Sequence, residues 1–350
     1  MKNINSLYIP ISNVSNKYIE IVQQAMKKNN ISVIGIKELN SINKLRQIDV
    51  VNLNWFESRI DSPVWIISRI KFVLYILLLY LFKIFNIKIV VTMHNQVTHD
   101  AFDYSLSKKF MYKLHKLADK IVVMNNFSKK LLLKEEGIDV ARKSYLIPHP
   151  TYTGAYEDIE SIKLDDRYFN IAFIGQVRPY KNIETILNVS RLLNDKKIRI
   201  YICGYAEDGY RDYLLKQSIG SNVIFNIKFL NDAEMNSWIK AIDAIILPYN
   251  KDSSLNSGVS ILAFSYGKTV IGTSTGTLKD FPKDLIYQYD YTNNHEVKLK
   301  NSILTAYNDF FDNKELFYNK GKQLKKIVDE SANPDIIGKK YRKLYESLLK

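Results

Sequence analysis

The chain has 350 residues, 46% of them hydrophobic, which supports real cores and favours two domains over one. Its formal charge of +14 is uneven: residues 1–150 hold 22 Lys and Arg against 11 Asp and Glu, the remainder 28 against 25. A single cysteine, Cys203, excludes a disulfide framework and a cysteine zinc site, the five histidines are scattered, and no D-x-D occurs, so neither metal nor other cofactor is expected. The cationic half calls for an anionic partner, either nucleic acid or an anionic membrane surface. The start, MKNINSLYIPISN, lacks the features of a signal peptide, and a cytosolic location is expected.

In chain order, strand-like runs alternate with helical patterns. Residues 7–9, 32–36, 49–53, 88–92 and 120–124 read as strands. Helices are predicted over 18–28, 106–118 and 128–136, the last closed by Gly137. Between them lies FVLYILLLYLF, residues 72–82, uncharged and set between Lys71 and Lys83. Crossing a bilayer needs about 20 apolar residues, more than this run offers. Two other readings stand. One is a helix buried between the layers of an α/β domain. The other is a helix whose exposed aromatic side dips into a membrane interface while its lysines meet headgroups.

SYLIPHPTYTGAYED follows, with Pro148 and Pro150 on either side of His149, and reads as a linker. A second alternating series has strands at 168–174, 198–203, 223–225, 244–248, 269–272 and 285–287. Its helices are expected at 182–193, 208–217, 232–241, 258–266, 296–311 and 314–328. Such alternation implies parallel sheets covered on both faces. The predicted fold is α/β, with two doubly wound Rossmann-like domains facing a cleft: residues 1–150, then 151–332, with a basic last helix within 333–350. Ligands of such sheets sit beyond the carboxyl ends of the strands.

Two loops of the second half carry chemistry suited to anions. In IAFIGQVRPYKNIETIL a strand ends at Gly175, and the loop presents Arg178 and Lys181 before a helix. A guanidinium fork and a compact ammonium suit a diphosphate, although solvated cations are also common in loops. In LPYNKDSSLNSGVSILAFSYGKTVIG, Asn256, Ser257 and Gly258 open a short apolar helix just past a strand. Ser257 suits an N-cap, and a bare glycine lets a ligand approach amides that favour negative charge. One nucleotide diphosphate held by both features is the expectation. Gly204 and Tyr205 follow another strand and are assigned to the vicinity of the nucleobase.

The second half resembles the nucleotide-sugar domain of GT-B glycosyltransferases. FIGQVRPYKNIETIL is similar to their G-x5-K loop, AIDAIILPY to the strand before the donor loop, and NSGVSILAFSYGKTVIG to the donor-loop helix and the strand after it. DVVNLNWFE and KIVVTMHNQVTHD resemble segments of bacterial capsule and exopolysaccharide glycosyltransferases, and YRKLYESLLK resembles the helix that crosses back onto the first domain. The resemblance spans nearly the whole chain. It implies transfer from a nucleotide-sugar donor, UDP-sugar ahead of GDP-sugar, to a saccharide acceptor that is lipid-linked. One departure stands out. Retaining members carry Glu-x7-Glu across the donor loop; in the register set by Gly267 those positions are Ser254 and Leu262, and no glutamate lies between Glu234 and Glu296. The stereochemical outcome and ribose recognition stay open.

Inverting transfer needs a base for the acceptor hydroxyl. Asp100, or His99 supported by it, has that chemistry, and Asp100 equally suits a helix cap. His94, Asn95, Trp55 and His149 are expected to contact the acceptor or the cleft; satisfied structural histidines and a core tryptophan are the alternatives. The expected enzyme is held peripherally on the inner face of a bacterial membrane. Nucleic acid is not expected as a partner, because the lysines are spread over several helices. A GT-B-shaped sugar-nucleotide epimerase, a transferase-like scaffold and a basic polyanion-binding protein are the alternative readings.

Overall fold

The computed structural model describes residues 2–350 apart from 14–15, 96–100, 158, 195, 251–254 and 275. Two units divide the chain: Met1–Pro150 with Ala332–Lys350, and Thr151–Ser331. Each is built on a six-stranded parallel sheet, the doubly wound architecture that the alternating pattern implied.

In the first unit the strands are β1 (Ile4–Ile9), β2 (Ile31–Ile34), β3 (Val50–Asn54), β4 (Lys88–Thr92), β5 (Lys120–Val123) and β6 (Ser144–Leu146), in the order β2-β1-β3-β4-β5-β6. β3 is buried at every position, as a parallel strand covered on both faces must be. β6 falls at the start of the stretch read as linker; it is three residues long, on the sheet edge and not fully buried, so it leaves no periodic signal.

The Tyr18–Lys28 helix turns Tyr18, Ile19, Val22, Ala25 and Met26 into the core. Against it lies the last helix, Pro334–Leu349, which buries Ile337, Tyr341, Leu344 and Tyr345 in the same cluster. The two backbones approach so closely that a Cβ on Gly338 would lie 2.3 Å from the Ala25 carbonyl oxygen. Asn333 caps this helix by accepting from Ile336 N, with Pro334 in its first turn.

The apolar stretch at 72–82 belongs to a longer helix, Trp65–Ile84, whose 20 residues are apolar and long enough to cross a membrane by length and composition alone. The reading as a buried core helix is overturned. Only Ser68, Leu79 and Phe82 are buried, and most of its surface faces outward.

The second unit holds β7 (Phe169–Ile174), β8 (Ile198–Cys203), β9 (Val223–Asn226), β10 (Ala244–Leu247), β11 (Thr269–Thr273) and β12 (Tyr287–Tyr289), in the order β12-β11-β10-β7-β8-β9. In both sheets the chain winds outward from one central strand and then returns to wind the other way. The reversal lies between β1 and β3 in the first unit and between β7 and β10 in the second. Loops that leave neighbouring strands on opposite sides of a reversal open a crevice, and that is where ligands of such sheets bind.

Candidate active site

In the second unit the loops leaving β7 and β10 meet at that reversal. Asn182 ties them together: its Nδ2 donates to the Pro248 carbonyl at 3.2 Å and to Asn250 Oδ1. Lys181 is turned inward, with Nζ 3.9 Å from the centroid of the Tyr249 ring. Burial holds its ammonium below the usual lysine range, so an anion placed there would be strongly favoured. Arg178 is half-exposed; it meets Glu207 at 3.4 Å and Gln176 Oε1 at 3.3 Å. An exposed pair of this kind is worth little, and Glu207 is readily exchanged for another anion.

The loop after β8 joins the same assembly. Gly175 N donates to Cys203 O and Val177 N to Tyr205 O. A Cβ on Gly204 would lie 1.8 Å from the Gly175 carbonyl oxygen, so only glycine fits at 204. Tyr205 remains half-exposed at this edge.

The Gly258–Ser265 helix begins at β10's side of the crevice, and a Cβ on Gly175 would lie 3.5 Å from Val259 Cγ2 in its first turn. Ser257 acts as the N-cap, its Oγ accepting from Ser260 N at 3.2 Å. The amide of Ser257 was expected to face a phosphate, yet it donates to Thr277 Oγ1 at 3.1 Å. The open donors are instead the amides of Gly258 and Val259, which meet no acceptor among the described residues. Asn256 is half-buried beside them. Of the two positions in register with Glu-x7-Glu, Leu262 is buried in the helix and Ser254 lies outside the described residues.

In the first unit the reversal between β1 and β3 opens a pocket of about 460 Å³, walled by Asn13, Asn54, Trp55, Arg59, Asp61 and Lys71 among others. Trp55 follows β3 with φ 47°, a left-handed conformation costing a non-glycine residue on the order of 1 kcal/mol. Its indole stacks on His94 with centroids 3.7 Å apart, and His94 Nε2 lies 3.0 Å from Asn54 Oδ1. Tyr18 packs its edge on both rings and leans on His149, whose Nδ1 is 2.9 Å from Pro150 O. Trp55, His94 and His149 thus form one aromatic cluster. Burial, and then the proximity of His149, depress His94 well below the ordinary histidine range, and burial lowers His149 to about 4. Both are buried, neutral at pH 7 and hydrogen-bonded within the unit, to Asn54 and Pro150 O, so they suit holding the cluster more than proton capture.

Asn52, from the same motif as Trp55, does not reach the pocket. It is fully buried, donates to Tyr345 Oη at 2.9 Å and accepts from Thr92 Oγ1. His99 and Asp100 lie outside the described residues.

Two residues at the donor crevice and one buried carboxyl beside the first-unit pocket have no specific signal in the sequence. Tyr249 floors Lys181, and Glu207 holds Arg178. Glu57, two residues past Trp55, is 4% exposed, with Oε1 lacking a partner among the described residues. Burial raises its carboxyl to about 7, against the opposing pull of His115 and a hydrogen bond from the Asn95 side chain. The only hint in the sequence is an acidic residue just past an apolar strand, and that pattern is common.

The profile of the family described as Glycosyl transferases group 1 matches residues 168–309. No curated protein matches the chain. Among solved structures, Anabaena HepE in complex with UDP-glucose is similar at a TM-score of 0.72 and 12% identity, covering 99% of this chain and 100% of that one. Sucrose-phosphate synthase from Thermosynechococcus elongatus gives 0.73 and 14%, covering 99% of each chain. A glycosyltransferase from Rickettsia africae gives 0.68 and 15%, covering 100% of both. Residues 168–309 therefore match the group 1 glycosyltransferase family, and over its whole length the chain has the two-domain fold of these solved GT-B structures.

Proposed function

We propose that the chain moves a sugar from a UDP-sugar to a saccharide acceptor carried on a lipid, of the kind extended in capsule and exopolysaccharide synthesis. The observation that carries the donor side is that the β7 loop with Arg178 and Lys181 and the β10 loop that leads to the open amides of Gly258 and Val259 are tied together at one reversal, with Lys181 seated on Tyr249 of the β10 loop. The HepE structure with UDP-glucose supports uridine over other bases.

In the reaction the acceptor hydroxyl attacks the anomeric carbon, and the bond from that carbon to the phosphate oxygen breaks. UDP departs with the electron pair. Arg178, on release from Glu207, and Lys181 stabilise the charge growing on the diphosphate, aided by the two amides. No metal is needed for that task when two cations already serve it. The hydroxyl's proton passes to Asp100, backed by His99. The pocket beside Trp55 offers an aromatic face and paired amide, carboxylate and cationic groups, which is saccharide-binding chemistry.

Calorimetry with UDP and an assay for UDP release test the reading together. Arg178→Ala and Lys181→Met should each weaken UDP binding roughly 10- to 100-fold, the range for hydrogen bonds to charged groups. UDP should be released from UDP-sugar only when a saccharide acceptor is added, at a rate EDTA leaves unchanged. Asp100→Asn should keep UDP affinity and lose turnover. Unaltered UDP affinity in both cation variants removes the donor assignment. Release of UDP without any acceptor favours an epimerase or hydrolase instead.

A further inference from the structure

The Trp65–Ile84 helix presents two apolar faces, and only one has a partner among the described residues of its unit. The inward stripe is Ser68, Phe72, Tyr75, Leu79 and Phe82, with Phe72 on Phe110 at 5.6 Å and Tyr75 on Phe56 at 5.2 Å between ring centroids. The outward stripe is Ile66, Ile70, Val73, Leu77, Tyr80 and Ile84, spaced by threes and fours. Each is at least half exposed, Ile84 at 79%. A soluble surface rarely leaves so long an apolar stripe uncovered.

Charge identifies what covers it. From residue 62 to residue 99 the sequence has no acidic side chain and four cations, Arg69, Lys71, Lys83 and Lys88. Arg69 sits near one end of the helix with its guanidinium 4.9 Å from the Trp65 ring and 3.7 Å from Asp103, and Lys83 sits at the other, 3.5 Å from Asp119; both pairs are partly exposed, so their cations can exchange to lipid phosphate. The adjoining Tyr104–Leu117 helix packs against it and exposes Lys108, Lys109, Lys113 and Lys116.

We propose that the Trp65–Ile84 helix is an in-plane anchor for an anionic lipid leaflet. Its outward stripe enters the boundary of the acyl chains, Trp65 and Tyr80 sit at headgroup level, and the lysines of the Tyr104–Leu117 helix meet lipid phosphates. A crossing orientation is disfavoured because the inward stripe is already packed on Phe56 and Phe110, and because Arg69 and Lys71 would enter the bilayer core. A second copy on the same face would set the cationic segment 62–99 against itself. Docking of this kind does not rest on the transfer reading, and its test contains neither donor nor acceptor.

Sedimentation of the full chain with vesicles is the experiment, phosphatidylglycerol against phosphatidylcholine, at low and high salt. The chain should pellet with phosphatidylglycerol at low salt and be released by high salt. Changing Lys109, Lys113 and Lys116 together to Gln should weaken that binding on the order of a hundredfold, at the usual contribution of a lysine near an anionic surface. Ile70→Glu with Leu77→Glu should abolish it. Both positions are exposed, so the melting temperature should not move. Failure to pellet at low salt, or binding by the Ile70/Leu77 variant equal to wild type, overturns the proposal. So does a concentration-dependent dimer that this variant abolishes without any vesicle binding, which assigns the face to a second copy. Resistance to alkaline extraction with protection from protease overturns the in-plane placement in favour of crossing.

Discussion

Glu57 is a carboxyl group buried at 4% exposure, where its protonated form is favoured. Burial lifts it from 4.5 to about 7. A carboxyl with a raised folded value stabilises the fold fully below its unfolded value, and that contribution is lost as pH climbs through the folded one. His94 and His149 act in the opposite sense, since burial lowers both, and their stabilisation is lost as pH falls below the ordinary histidine value. Wild-type stability alone therefore mixes two opposed trends, and the difference from Glu57→Gln separates them. Urea melts should show wild type losing about 3 kcal/mol relative to that variant between about pH 4 and pH 8. A difference that stays flat across that range removes the raised carboxyl. Nothing around residue 57 in the sequence announces its burial. The turn that carries it is covered by the Trp65–Ile84 and Tyr104–Leu117 helices, which come later in the chain. The same holds for Lys181, whose inward turn depends on Tyr249. Residue types suited to phosphate were legible; their orientation was set by partners far away in the chain.

At the scale of elements, legibility follows local signals. The helices Tyr18–Lys28, Asp208–Gln217 and Asp232–Ala241 span the residues predicted for them; the first carries one apolar face, and the last opens on a capping box between Asn231 and Glu234. Trp65–Ile84 was read too short: Arg69 and Lys71 interrupt its apolar run, and a segment apolar on both faces shows no helical period. The Gly258–Ser265 helix was placed correctly from its cap, but the cap and the ligand-facing amides belong to different residues. Ser257 Oγ accepts from Ser260 N and lies 2.9 Å from Ser260 Oγ, while the open amides follow it in the chain. Ser257→Ala should therefore cost about 1 kcal/mol of stability, seen as a melting temperature a few degrees lower. UDP affinity should stay within about twofold, since main-chain donors at 258 and 259 survive the change. A tenfold loss of UDP binding in a variant that melts normally would make the hydroxyl a donor contact and displace the amides from that role.

Over the whole molecule, the chain leaves its first unit at Pro150 and comes back to it at Ala332. The returning helix is a structural part of that unit. Ile337, Tyr341, Leu344 and Tyr345 are each 0% exposed, and Tyr345 Oη accepts from Asn52 beneath the pocket that holds Trp55. Large side chains buried this fully contribute about 1.5–3 kcal/mol apiece. Losing four removes roughly as much as an entire domain holds in reserve, about 5–15 kcal/mol. A chain ended after Ala332 should therefore leave the first unit unfolded and open to protease. Thr151–Ser331 keeps its own six-stranded sheet, with Arg178, Lys181 and the helix start at Gly258 all within it. Limited proteolysis of the truncated chain should accordingly yield a resistant fragment of the second unit that still binds UDP by calorimetry. If the first unit instead resisted protease as well as it does in the full chain, the last helix would be dispensable to its core, contrary to the burial of those four side chains. If the resistant fragment bound no UDP, donor affinity would require residues of the first unit, and His94 and Asn95 would be the first to substitute.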